Sequence, residues 1–437
     1  MARTRLKTTK ESFLVADRGI GLLPAAGSIA ASWVWAPALF VSAEVAYKWG
    51  WQGLAWFLIP NVLVLVLFGI VAHKLRTNHP NGFTLSGTMR ETHSPRVQKL
   101  YLFQLLALST CSFAVQLIGG GHILSTLTGI SFPIIAALLA ATAVAYSIAG
   151  GIKASIFTDY AHMVITLLVV ALLIPTTIIT VDWSTITTGI TTPATSISPL
   201  ALALTFGIPT TIGLLAGPFG DQSFWQRAFA TKQGTTAKAF TLGAGLFAVV
   251  PLCMSVLGFA ASGAELGITD TQFVNFETVQ QLLPSWATVP FVVMIVGCLL
   301  ATIDSQTNAV GSIAGHDLAT NNQVSVTTAR AAMGIVAVTA VLIAQVPGIT
   351  ITHLFLIYGT LRAATVAPTV LTTLTNRTTE TGVFYGIAAA FLVGLPIFIY
   401  GSFFTDNPAV KTIGSVVTIT LAAVLAVTPF PTKEQNK

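Results

Sequence analysis

Apolar runs of roughly 17 to 25 residues, each long enough to cross about 30 Å of hydrocarbon, recur along this chain with short polar breaks between them. Twelve are predicted as transmembrane helices, at 22–43, 51–73, 98–117, 132–149, 157–179, 199–217, 237–260, 286–315, 328–345, 350–373, 382–403 and 412–427. Two of these runs share a defect. The first carries Gly27, Ser28, Ser32 and Pro37 at mid-span, and the sixth carries Thr205, Gly207, Pro209, Thr210 and Thr211. Proline removes a backbone donor and strands a carbonyl one turn back, which in lipid must find another partner. An ion or a solute can be that partner. The defects lie five spans apart, an odd number, so they belong to segments of opposite orientation. Interrupted helices at matching positions of two inverted halves point to the central site of a transporter.

Composition agrees with this pattern. Hydrophobic residues make up 54% of the 437 and charged residues 8%, with a mean hydropathy of +0.80. A soluble globule carries about 25% charged residues, so that class is excluded. With the amino terminus placed inside, the positive-inside rule sorts the basic residues. Arg3, Arg5, Lys7, Lys10, Arg18, Lys74, Arg76, Arg90, Arg96, Lys99, Lys153, Arg227, Lys232, Lys238, Arg330, Arg377, Lys433 and Lys437 fall on the cytoplasmic side. Only Lys48 and Lys411 fall outside, and Arg362 lies within a span. The long connections 181–198 and 261–285 hold Asp182, Glu265, Asp270 and Glu277 but no lysine or arginine, as external loops should. The net charge of +6 therefore reports orientation in, and attraction to, a lipid bilayer, not nucleic-acid binding. The expected location is the plasma (inner) membrane with both termini cytoplasmic, and insertion through the first span without a cleaved signal peptide. Cys111, Cys253 and Cys298 all lie inside spans and read as small buried hydrophobes.

Ionisable residues inside spans are costly, and each is a functional candidate. Asp304 lies in the eighth span among Ala301, Ser305, Asn308, Gly311, Ser312 and Gly315, a small and polar face at three- and four-residue spacing. That face suits close helix packing or oxygen donation to a cation. Asp159, early in the fifth span, is better explained by the dipole at a helix start. Arg362 lies about 18 Å into the tenth span, where it either reaches an interface or pairs with a carboxylate. Trp33 and Trp35 sit mid-span beside the first defect, suiting a solute wall or core packing. His122, His162 and His353 show no metal-ligand spacing.

Gly150–Tyr160, with Asp159, resembles the Gly-Gly-hydrophobe-Lys-Ala…Thr-Asp signature of the sodium/solute symporter family. Gly220-Asp221-Gln222-Ser223-Phe224-Trp225-Gln226-Arg227-Ala228 resembles its second cytoplasmic motif, and Ala301-Thr302-Ile303-Asp304-Ser305-Gln306 its Ser-Ser-Ala-Asp-Ser helix. The stretches around Trp33, Asp159 and Asp221 are most similar to the urea-type active transporters of that family. The resemblance implies an all-α, LeuT-like fold of two inverted five-helix repeats, 22–179 and 199–374. These are preceded by a cytoplasmic segment 1–21, separated by an external loop 180–198, and followed by two further spans in 375–428 and a cytoplasmic tail 429–437. The family's extra leading helix is not expected.

The resemblance also implies a sodium position built from the carbonyls of Ala31, Val34 and Cys298 and the Thr302 hydroxyl. Ala301 stands where the family generally has a second serine, which removes one oxygen from a site whose affinity depends on ligand number. Asp159, Ser305 and Asp304 match a second ion position that equally suits a proton. Ser32, Trp33, Trp35, Gln116, Phe206, Thr210 and Tyr358 are the expected solute contacts, and aromatic faces with a few amides and hydroxyls suit a small polar solute. The expected function is symport of that solute with Na+ or H+ as coupling ion, without a cofactor. The alternatives are a non-transporting solute sensor and an intramembrane hydrolase using Asp159 and Asp221. Oligomeric state is not legible.

Overall fold

The computed structural model describes residues 10–318, 325–375, 377–405 and 407–430. Most of the basic run 3–10, Lys433 and Lys437 lie outside the described residues, as do 1–9 of the first segment and 431–437 of the last. The described residues are almost entirely helical. A short helix α1 (Lys10–Val15) leads to α2 (Leu22–Trp33), α3 (Ala36–Leu39), α4 (Val41–Asn78), α5 (Leu85–Thr92), α6 (Pro95–Thr128) and α7 (Phe132–Val181). Then come α8 (Trp183–Thr191), α9 (Pro199–Leu202), α10 (Ile208–Leu215), α11 (Gln222–Ala230), α12 (Thr236–Gly263) and α13 (Val274–Leu282). The chain continues through α14 (Thr288–His316), α15 (Val326–Ala344), α16 (Ile351–Leu374), α17 (Glu380–Ala389), α18 (Leu395–Phe403) and α19 (Pro408–Val427).

Among the described residues, nine helices are long and apolar enough to cross a membrane, and two shorter apolar ones are Leu22–Trp33 and Pro199–Leu215. Large apolar side chains face outward along them, including Leu168, Ile179, Leu342 and Leu392. In water such a surface would aggregate; in lipid it is the matching solvent. The protein is an integral membrane protein with multiple spans.

The 50-residue α7 would run about 75 Å if straight, far beyond one bilayer. It folds back at Gly151, where φ is 60° and ψ −166°, a backbone region that L side chains rarely adopt. A methyl there would also strike Phe13 of α1. Gly50 (φ 61°) turns α4 in the same way just past Trp49. The connections expected to be plain loops at 181–198 and 261–285 contain α8 and α13, and α8 packs onto the end of α12.

The two expected interruptions come out differently. The first is present: helix α2 ends at Trp33, the chain extends through Val34 (φ −81°, ψ 71°) and Trp35 (φ −100°, ψ 175°), and α3 restarts with Pro37 in its first turn. The sixth run does not open at Gly207–Pro209. Residues Ala203–Gly207 form a single π turn with helical backbone angles into α10. The wider turn absorbs the missing Pro209 amide without unwinding the helix. The chain opens further along, through Gly217, a 3-10 turn at Pro218–Gly220 and an extended Asp221 (φ −126°, ψ 113°), before α11.

Candidate functional site

The two interruptions meet in the protein interior. Trp33 stacks on Trp35 across the first, with centroids 5.0 Å apart and planes 16° from parallel, and Phe224 on α11 meets Trp33 in a T-shaped contact at 5.1 Å. Any side chain on Gly217 would collide with the Trp33 indole, so glycine at the second interruption lets the two breaks touch. Gln116 of α6 closes the first break, its Oε1 accepting from the Ala36 amide at 2.7 Å. That bond satisfies a donor which the start of a half-helix leaves exposed. Gln116 Nε2 donates to the Ser112 carbonyl, so both ends of its amide are engaged.

Arg362 of α16 reaches this junction and does not snorkel to an interface. Its Nη2 donates to Asp221 Oδ2 at 2.9 Å, with both side chains 1% exposed. Asp221 was expected in a basic cytoplasmic loop. It lies instead in the core as the cap of α11, accepting at Oδ1 from the Ser223 amide and hydroxyl and at Oδ2 from Gln306 Nε2 at 3.0 Å. The Arg362 guanidinium is ringed by aromatic faces, 5.6 Å from Trp33, 5.1 Å from Trp35 and 4.8 Å from Tyr358.

A second polar cluster lies between α2, α7, α11 and α14. Arg227, also expected at the cytoplasmic surface, is buried and donates through Nη2 to Asp159 Oδ2 at 2.6 Å and to Ser305 Oγ at 2.6 Å. Its Nε donates to Ser28 Oγ at 2.8 Å, and Ser28 in turn donates to the same Asp159 oxygen at 2.7 Å. Ser32 and Ser305 face each other at 3.1 Å, joining α2 to α14. Asp159 is thus eight residues beyond the Gly151 turn and ion-paired, so a dipole at a helix start does not account for it. Asp304 is buried one residue from Ser305 and accepts from Ser147 and from Asn308 Nδ2 at 2.8 Å. Its neighbours on α14 are buried all round the helix, Ile303, Val310 and Ile313 included, so the expected small face is one part of a stretch, 301–315, that is enclosed on every side.

Of the expected sodium ligands, Thr302 donates to the Cys298 carbonyl at 3.2 Å, and Cys298 Sγ lies 3.1 Å from the Thr166 hydroxyl. Ala31 and Val34 sit at the end of α2, which contacts α14 through the Ser32–Ser305 pair; Ala301 is buried, its carbonyl accepting from Ser305. Of the expected solute contacts, Trp33, Trp35 and Tyr358 come together, and Ser32 joins the second cluster. Phe206 turns away to Trp49, 5.1 Å distant, and Thr210 is buried in α10 with its hydroxyl unpartnered. Arg227, Asp221, Gln306, Ser28 and Ser147 were not among the expected ion and solute ligands. One signal for the first two was available: Phe219, Phe224, Trp225 and Phe229 surround them, a density of large aromatics that a solvated loop rarely carries.

Comparison with known proteins is consistent across sequence and structure. The sodium:solute symporter family model matches residues 13–390. The urea-proton symporter DUR3 of Oryza sativa subsp. japonica is 22% identical over 437 residues, covering 90% of this chain and 61% of that protein. Probable urea active transporter 1 of Schizosaccharomyces pombe is 28% identical over 276 residues, covering 59% of this chain and 41% of that protein. The chain thus spans between 41% and 61% of the length of these two relatives. Among solved structures, a Na+-coupled sialic acid symporter in a substrate-bound outward-open state superposes with a TM-score of 0.76 at 15% identity, over 96% of this chain and 92% of that one. At that identity the likeness establishes the fold, which is LeuT-like.

Proposed function

Because the chain belongs to the sodium:solute symporter family, a family of transporters and not of enzymes, we propose that it carries a small, polar, urea-like solute across the membrane with a coupling cation, Na+ or H+. One observation carries the reading. The two interruptions, at Val34–Trp35 and Gly217–Asp221, lie against each other at Trp33 and Gly217 inside the protein. Half-helices meeting in a membrane interior present backbone and side-chain polar groups where lipid offers none, the arrangement by which transporters hold ions and solutes at mid-depth. The named relatives supply the solute class, since both are described as urea transporters.

In this reading 22–179 and 199–374 are inverted halves, and 375–428 adds two further spans. The count reaches twelve when the Gly151 turn divides α7 and each interrupted segment counts as one crossing. The positive-inside bias puts both termini in the cytoplasm of a cell whose plasma membrane holds the protein. A first ion position uses the Ala31, Val34 and Cys298 carbonyls with Thr302. A second involves Asp304 beside Asp159 and Ser305, the last two already bound to the Arg227 guanidinium. The solute sits against Trp33, Trp35 and Tyr358. Cation and solute together favour one orientation of the broken segments, and transport follows as the helices carrying them rock against the rest.

The test is uptake of radiolabelled urea into proteoliposomes, under an inward Na+ gradient in one arm and an inward proton gradient in the other. Accumulation above equilibrium in either arm, abolished by Asp304→Asn or Thr302→Ala, supports the reading. Accumulation that survives Asp159→Asn, Asp304→Asn and Thr302→Ala alike refutes the assigned coupling site. Saturable solute binding without counterflow refutes transport and favours a sensor. For an intramembrane aspartyl hydrolase, Asp159 and Asp221 would have to share a proton. Each is instead bound to its own arginine.

A further inference from the structure

At the meeting point of the two breaks, several buried donors are left over. Trp35 Nε1, Arg362 Nε and Nη1 and the Tyr358 hydroxyl are buried with no hydrogen-bond partner. They belong to groups in mutual contact: the Trp35 and Tyr358 rings are 5.1 Å apart, and the Arg362 guanidinium carbon is about as close to each. The aromatic faces cover the flat of the guanidinium, but a cation–π contact leaves its in-plane N–H edges unmet. Each such buried donor costs free energy until it finds an acceptor. An acceptor left over beside them is Gln306 Oε1, whose own Nε2 shares Asp221 Oδ2 with Arg362.

Resting on the symport reading above, we infer that Arg362, Trp35 and Tyr358 form a receptor for the carbonyl oxygen of the transported solute, with Gln306 Oε1 accepting from its amino group. Arg362, Trp35 and Gln306 thereby set specificity: the solute is a neutral, planar carbonyl amide. The charges fix the neutrality. Asp221 is consumed by Arg362, Gln306 and Ser223, so no free carboxylate remains here for an ammonium or guanidinium group. The same aspartate balances Arg362, so an anion gains little net charge attraction in exchange for its hydration. Planarity follows from the flat faces of Trp33, Trp35 and Tyr358, all packed against the Arg362 guanidinium. An sp2 oxygen accepts from two or more donors at once, as this set requires.

The experiment uses counterflow of radiolabelled urea in proteoliposomes containing the full chain, with unlabelled competitors. Urea, formamide and acetamide should compete, thiourea more weakly because sulfur is the poorer acceptor, and guanidinium and methylammonium should fail. Tyr358→Phe deletes one donor atom and keeps the ring, whereas Trp35→Phe deletes its donor and trims the indole to a smaller ring, so Tyr358→Phe is the variant that isolates the hydrogen bond. Each should raise KM for urea about tenfold, the loss of one buried hydrogen bond, with the maximal rate nearly held. Trp35→Phe should also narrow the preference for urea over thiourea. The assignment is overturned if both Phe variants leave KM within about twofold, if they lower the maximal rate at constant KM, or if guanidinium competes as well as urea. Wild-type protein that exchanges none of these compounds overturns the symport reading itself. Exchange by wild type with indifferent variants overturns only the receptor.

Discussion

Arg227 and Asp159 face each other at 2.6 Å with neither side chain more than 1% exposed. The pair ties α11 to α7, and through Ser28 and Ser305 to α2 and α14 as well. Four helices from distant parts of the chain therefore meet on one guanidinium. Burying two ions is costly, and their attraction offsets that cost only with good geometry and further hydrogen bonds. Both conditions hold here.

Breaking the pair on one side should accordingly do more harm than removing it altogether. Arg227→Gln or Asp159→Asn alone strands a buried charge and should destabilise the protein by about 3–5 kcal/mol. The double variant should recover a substantial part of that loss. Thermal unfolding in detergent across the double-mutant cycle measures the coupling, and additive single effects would contradict it.

The contact between the two breaks makes Gly217 sensitive to size. Gly217→Ala drives a methyl into the Trp33 indole, and overpacking of this kind costs about 1–3 kcal/mol. Urea counterflow should fall sharply in Gly217→Ala and return in part when Trp33→Phe frees space. Full activity in Gly217→Val would show that the breaks separate in the working protein.

Gln116 supports the site through the backbone. Gln116→Leu leaves the Ala36 amide buried without an acceptor and should cost about 1–3 kcal/mol, whereas Gln116→Glu keeps an acceptor at that point. The melting temperature of the two purified variants should order Glu above Leu. The reverse order would contradict the capping role.

His93, at the end of α5 and outside the spans, stands 2.9 Å from the Thr372 hydroxyl of α16. Burial holds its imidazole below the ordinary value, with the Glu380 carboxylate pulling the other way. The unfolded chain thus binds this proton more readily than the folded one. Its contribution to stability is complete above a pH of about 6.5 and is lost as pH falls through the folded value. Melting temperature should drop on acidification through that window, and the drop should be smaller in His93→Gln. Identical pH profiles would assign the drop to other groups.

Much of the architecture follows from the chain alone, since a membrane imposes a strong local rule. Every backbone polar group in lipid must be satisfied within its own helix, so long apolar runs declare themselves as spans whatever their neighbours do. Asp304, Trp33 and Trp35 could be picked out for a related reason: charge and large amphipathic rings at mid-span have no local explanation, whereas Asp159 and Tyr358 were reached through the family resemblance. The first interruption was visible because Ser32 and Pro37 bracket it.

The tertiary structure alone decided the second interruption and the partners of the charges. Pro209 marks a helix under strain, yet a π turn absorbs that strain, while the Gly217–Gly220 segment opens where Trp33 and Arg362 pack against it. No local pattern separates these outcomes, because the energy that chooses between them comes from groups far away in the chain, Trp33 and Arg362. Arg227 and Asp221 were misplaced for the same reason. A basic residue near a span end reads as cytoplasmic until its carboxylate is found, and Asp159 and Arg362 reach these two only through contacts that exist after folding.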